Sequence, residues 1–152
     1  MAWDVRDGKK VSPVPEAVAE RQRQILMTPH GILKAAQEPS SKRQMANDTG
    51  PDGKPVTTMT FMAGGSQFRA TLNDAALIER VQTFPGDPVL GNQVIEISFS
   101  DYKDYGGIKF PTRIVQKQGG RTVLDVTVSD VRPNVGLKVD VPASVMKAAA
   151  KK

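Results

Sequence analysis

The sequence predicts an α+β domain in which two helices precede an antiparallel β-meander. Three observations carry this. Apolar residues recur at helical spacing up to about residue 37, and the period switches to two from Val56 onward. Short turns containing Gly or Asn then punctuate the second half of the chain. The 152 residues read as a single domain, 1–152, long enough to bury a core without staples.

The helical segment covers 13–37. Val11-Ser12-Pro13-Val14-Pro15 supplies its start, because proline is tolerated before or within a first helical turn. Ala17, Ile25 and Leu26 lie among Glu16, Glu20, Arg21 and Arg23, which predicts a polar-rich amphipathic helix over about 15–27. Thr28-Pro29 reads as a second N-cap with proline at the first helical position, opening a short helix through Ile32, Leu33, Ala35 and Ala36. A kink at Thr28-Pro29-His30-Gly31 separates the two. Residues 38–55 hold proline, glycine, serine and charge with no period, and read as a mobile loop.

The sheet is expected over 56–131. Thr57, Met59 and Phe61 alternate with Val56, Thr58 and Thr60; Phe68, Ala70 and Leu72 alternate with Gln67, Arg69 and Thr71. Residues 77–84 make a third strand, ended by Pro85-Gly86-Asp87-Pro88. Ile95, Ile97 and Phe99 mark a fourth strand and 109–117 a fifth. Leu124, Val126 and Val128 against Asp125, Thr127 and Ser129 make the cleanest strand, after Gly119-Gly120. Strands in sequence joined by short turns are a meander. Polar residues on one side of each strand predict a sheet covered on one face only, with the N-terminal helices as the cover. The tail, 132–152, ends in a short helix around Pro142, Val145 and Met146, whose lysines suit the C-terminal dipole.

Composition excludes several chemistries. The chain has no cysteine and one histidine, so disulfides, thiolate metal sites and sites built from two histidines are impossible. The net charge is +5, but residues 1–76 carry ten bases and eight acids, and 77–152 carry eleven and eight. Charge spread so evenly is a solvated surface and points away from a nucleic-acid partner. The longest apolar runs, such as Ala75-Ala76-Leu77-Ile78, fall far short of a bilayer span. Arg6, Asp7, Lys9 and Lys10 leave no apolar region for a secretory signal.

Individual motifs are weak. His30, beside Pro29 and Gly31, reads as a local hydrogen-bonding residue at a helix start, and a lone histidine is a poor partner for a nucleophilic serine. Asp101 and Asp104 flank Tyr102; two carboxylates at this spacing suit a cation or acid–base work, and equally the capping of a turn. The pairs Gly64-Gly65, Gly106-Gly107 and Gly119-Gly120 each lie between strands and lack the helix, lysine and Ser/Thr of a phosphate loop. Tyr102, Lys103, Tyr105, Lys109, Phe110 and Arg113 interleave aromatics with bases, as single-strand binders do, but carry Asp101 and Asp104 among them.

Two segments bring a resemblance. AERQRQILMTPHGILKAA (19–36) and PVLGNQVIEISFSDYKDYGGIKFPTRIVQKQGGRTVLDVTVSDVRPN (88–134) resemble the N-terminal accessory domain of secreted bacterial hydrolases with a metallo-β-lactamase fold. The resemblance runs from about Trp3 to Pro142, and its specific part is SDYKDYGGIKFPTRIVQKQGG. It implies a lipoprotein-carrier-like (LolA-like) incomplete, half barrel with helices in its concavity, and a periplasmic or secreted location. It also implies that the chain is a middle piece, starting in the strand that holds Trp3-Asp4, without the signal peptide, the earlier strands and the hydrolase domain. The zinc motif of that hydrolase domain matches no position here.

The expected function is therefore a non-catalytic domain, with no metal and no cofactor. It binds an apolar, lipid-like molecule or packs on a hydrolase domain in cis. The alternatives are a structural part of a zinc-dependent hydrolase whose catalytic domain lies elsewhere, and binding of anionic lipid or nucleic acid through the +5 charge. The candidate ligand contacts are Met59, Phe61, Ile95, Ile97, Phe99, Leu124, Val126 and Val128, with Val126 expected out of water. With early strands missing, the strand at 56–62 or its neighbour carries an unpaired edge, which favours an edge-strand dimer.

Overall fold

The computed structural model describes residues 2–7, 10–50, 52–84, 86–87, 91–136 and 138–149. Pro85 and Pro88, named above for a turn, and the last two lysines of the tail lie outside them. The chain gathers into two compact units, Met1–Ile25 with Asn134–Lys152, and Leu26–Pro133.

The first unit contains a hairpin that the alternation of the sequence did not announce. β1 (Trp3–Arg6) pairs antiparallel with β2 (Lys10–Pro13), from Trp3 opposite Pro13 to Arg6 opposite Lys10. The signal was the dipeptide Asp7-Gly8, which favours a tight turn. A 3₁₀ turn at Pro15–Ala17 leads into α1 (Val18–Leu26). Arg21 of α1 pairs with Asp4, and its other terminal nitrogen donates to the Trp3 carbonyl at 2.8 Å. Helix and hairpin are thus tied through one guanidinium. α3 (Ala143–Ala149) forms where the short terminal helix was expected; it packs on β2 and buries Val145.

The second unit opens with α2 (Pro29–Gln37). The Thr28 hydroxyl accepts from the Gly31 N–H at 3.1 Å and Pro29 takes the first helical position, as the sequence implied. At the other end the buried Ser41 hydroxyl donates to the Ala36 carbonyl at 3.0 Å, satisfying a helix-end acceptor. Pro29, Ile32 and Ala36 form the buried stripe.

The strands follow: β3 (Gln44–Thr49), β4 (Pro55–Ala63), β5 (Ser66–Leu72), β6 (Ile78–Thr83), a two-residue pair β7 (Gly86–Asp87) and β8 (Gly91–Asn92), then β9 (Ile95–Asp104), β10 (Lys109–Gln118) and β11 (Arg121–Thr127). All but β7 and β8 form one antiparallel sheet of seven strands in the order β11-β10-β9-β6-β5-β4-β3. β3 and β11 are its two ends, so the sheet is open and the fold is α+β. Gly64-Gly65 and Gly119-Gly120 all have positive φ, the geometry that two-residue hairpins require and other residues resist.

One expectation is corrected. The segment 38–55, read as a mobile loop, contains β3, which pairs with β4 from Gln44 opposite Thr60 to Thr49 opposite Pro55. Gln-Met-Ala-Asn-Asp-Thr has no apolar alternation because every one of its residues is exposed; the backbone of β4 makes it a strand. The strand at 56–62 is consequently interior, and the free edge on that side belongs to its neighbour β3.

Strand β9 changes face in mid-course. Asp101 has φ +55°, and its carbonyl accepts from the buried Thr112 hydroxyl at 2.7 Å. After this kink Tyr102 packs against the same core as Phe99, three residues earlier. The Tyr102 hydroxyl donates to the Ile78 carbonyl at 2.6 Å, beyond the point where β9 pairs with β6. Burial, with Glu79 nearby, pushes the phenol up to about 12, so it remains a donor throughout the neutral range.

Tyr102→Phe leaves the Ile78 carbonyl unpaired and should cost about 1–2 kcal/mol in urea unfolding. The folded phenol titrates above the unfolded one, so this contribution is whole below pH 10 and fades as pH rises from 10 toward 12. The wild-type chain should therefore lose more stability than Tyr102→Phe over that interval.

Candidate functional site

Directly paired residues of an antiparallel sheet share a face, so the registers define rows across the sheet. The central row runs Met45, Met59, Ala70, Val81, Ile97, Gln116, Leu124. Its middle is dry: Ala70 and Val81 are 0% exposed. Its ends are wet, with Met45 58% and Leu124 45% exposed. A second row runs Phe61, Phe68, Thr83, Ile95; its two rings stack at 5.6 Å, and the fully buried Thr83 hydroxyl donates to the Gln67 carbonyl at 2.8 Å. A third runs Phe99, Ile114, Val126.

These rows divide the eight candidate contacts. Met59, Phe61, Ile95, Ile97 and Phe99 belong to the core cluster, together with Met27, Ile32 and Ala36. Leu124 is exposed, and Val126 and Val128 are half-buried. Val126, expected out of water, is thus wetted, because it lies on the end strand where cover by the core runs out. Ile114, absent from the sequence reading, joins it as a partly buried neighbour packed on the core. The signal for Ile114 was hidden by Pro111 and Thr112, which interrupt the alternation of β10.

The opposite face is polar. Arg80 sits between Thr71 and Ser98, and Gln82 donates to Glu96 at 2.8 Å. Arg113 pairs with Asp125 at 2.8 Å and Arg69 with Asp48 at 2.7 Å. Among the described residues, the Arg80 Nε is the one buried side-chain nitrogen or oxygen without a partner.

The other singled-out residues resolve into structure. His30 is exposed on the first turn of α2 and its ring stacks on Phe110 at 5.9 Å and 11°. Asp104 accepts from the Gly107 N–H at 2.7 Å and shapes the β9–β10 turn; Asp101 provides the kink. Of the interleaved aromatics, Tyr102 turns to the core and Phe110 lies against His30, so no stacking platform is built. Among the described residues no three of His, Cys, Asp and Glu come together to hold a metal ion. No described helix is long and apolar enough to cross a membrane.

Open depressions lie on the surface of this unit. One, of about 440 Å³, is lined by Asp52, Lys54, Asn73, Asp74 and Glu79 among others. The Lys54 backbone N–H holds the Asp52 carboxyl below its ordinary value, aided by the ammonium. Another, of about 410 Å³, lies over Gln93, Gln118, Gly119, Arg121 and Val123. Both are open to solvent, and the first brings three carboxylates and one lysine to its rim. In comparisons with known proteins, no family model, no curated protein and no solved structure matches this chain.

Burial across this face of the sheet sets an order of sensitivity. Ile97→Asp places a carboxylate in the dry middle and should abolish folding or cost more than about 4 kcal/mol. Val126→Asp reaches water and should cost only about 1 kcal/mol. Equal losses in thermal or urea unfolding would contradict this gradient.

Proposed function

We propose that the chain is a non-catalytic β domain that binds an apolar, lipid-like molecule on the uncovered end of its sheet face. The observation that supports this is the strip formed by Ile114, Leu124, Val126 and Val128. It continues the buried core face in register yet stays partly in water. Side chains of this kind, on a rigid sheet, suit a ligand whose recognition is by apolar area. The chemistry of the residues fits a binding role: the single histidine is committed to a ring stack, the Asp104 carboxylate serves a turn, and Asp101 serves a kink through its backbone.

The resemblance of 88–134 supports the finer reading of an incomplete half barrel, acting as an accessory module on a hydrolase domain in cis, in the periplasm or outside the cell. On that reading the same strip is where the neighbouring domain packs, and the zinc chemistry belongs to that domain. Binding of anionic lipid or nucleic acid is the remaining alternative; its signature is retention that weakens steeply as salt rises.

Native mass spectrometry with added palmitate tests the proposal. The expected result is a one-to-one adduct that Leu124→Asp weakens at least about tenfold while leaving the unfolding curve in place, since Leu124 is already exposed. An apo mass at every palmitate concentration rejects the lipid ligand. Turnover of any hydrolase substrate by this chain with added zinc rejects the non-catalytic assignment.

A further inference from the structure

The edge of β11, as distinct from its face, carries backbone groups that no strand pairs. The Val128 N–H donates to the Thr112 carbonyl at 2.8 Å, and Arg113 stands opposite Thr127. Backbone bonding alternates along an antiparallel pair, so Val126 and Leu124 also point their N–H and C=O groups inward at β10. Asp125 and Thr127 therefore point theirs outward. β11 ends the sheet, and nothing in the sheet accepts or donates to them. The shift in register between Gln116 and Lys117 leaves Val123 as an extra residue, so the regular part of the edge runs from Leu124 to Val128.

A symmetric antiparallel pair must match outward residues with outward residues, which leaves few registers. Centring on Asp125 sets two carboxylates opposite each other, which is repulsive. Centring on Leu124 requires pairing through the irregular Val123. Centring on Thr127 opposes Leu124 to Asp130. Centring on Val126 has none of these faults. It sets Val126 against the partner's Val126, and Leu124 against the partner's Val128 at both ends. All three pairs lie on the apolar side.

On the polar side the same register places Asp125 opposite the partner's Thr127. Arg113 already stands opposite Thr127, so each Arg113 shares a row with the partner's Asp125 and the charges complement across the two-fold axis. The other end of the sheet offers no such match: β3 is Gln44-Met-Ala-Asn-Asp-Thr, whose one large apolar side chain, Met45, cannot supply a row of apolar pairs in any register.

We infer that two copies of the chain associate through β11, antiparallel and centred on Val126, joining two open sheets into one.

The absence of cysteine makes the test direct, since a single introduced thiol can form a disulfide only between chains. In the proposed register Val126 faces its copy as a pair not bonded through the backbone, with Cα atoms about 4.5 Å apart, inside the span a disulfide bridges. Under mild oxidation Val126→Cys should cross-link at least about ten times faster than Leu124→Cys or Met45→Cys at equal concentration. Light scattering of the unmodified chain should rise from 16.4 kDa toward twice that mass with concentration. Should Val126→Cys fold poorly, amide exchange of the unmodified chain replaces it. The Asp125 and Thr127 amides should be protected at high concentration and exchange freely on dilution. A constant 16.4 kDa mass, or exchange independent of concentration, overturns the proposal. Fastest cross-linking at Met45 overturns it in favour of the β3 edge, and fastest cross-linking at Leu124 overturns the register.

Discussion

The structure of residues 26–133 depends on keeping one row of side chains dry. Met59, Ala70, Val81 and Ile97 are contributed by four adjacent strands, and they are buried only because each strand pairs in one register. A slip of one residue would replace Val81 with Arg80 or Gln82 on that face, a substitution the core cannot absorb. The tight hairpin at Gly64-Gly65 holds β4 against β5, with Phe61 opposite Phe68, and Ile32 of α2 joins the same buried cluster. Threonine enters the apolar face at position 83, where the neighbouring Gln67 carbonyl accepts a hydrogen bond from its hydroxyl.

Departures from alternation are as informative as the alternation. At Asp101 a left-handed residue turns the strand so that Phe99 and Tyr102 serve one core, and two hydroxyls, of Thr112 and Tyr102, pair with backbone carbonyls around the kink. Register shifts between Thr71 and Leu72, and between Gln116 and Lys117, bend other strands in the same sheet. The second of these leaves the outer part of β11 irregular, which shortens the edge available for pairing and narrows its registers.

Much of this was legible in the sequence, for identifiable reasons. Period-two alternation and paired glycines announced the six strands from β4 to β11, setting aside the two-residue β7 and β8. Thr28-Pro29 announced α2, since cap chemistry is local. β3 was illegible because an edge strand exposed on both faces has no hydrophobic pattern to read; its structure is imposed by β4. The candidate site was only half legible. Alternation shows that Ile97 and Leu124 lie on the same kind of face, but burial depends on what sits above each, and that is a property of tertiary packing. Val126 and Val81 look alike in sequence and differ in the structure for this reason.

Geometry accounts for the uncovered end. Seven strands at about 4.8 Å spacing span about 29 Å between the outer two. A helix of nine residues, such as α2, is about 13.5 Å long and about 10 Å across with its side chains. One such helix is far shorter than the sheet is wide, so the exposure of Met45 and Leu124 at the two ends of one row is a consequence of length. The two ends differ in what they expose. At β3 a single methionine stands among polar residues, whereas at β11 Leu124, Val126 and Val128 form a continuous apolar strip beside Ile114. Lengthening α2 would not seal that strip, because the Thr28 cap and the Ser41 hydroxyl at the Ala36 carbonyl fix both ends of the helix. The fold therefore holds an apolar surface in water at one defined end of the sheet.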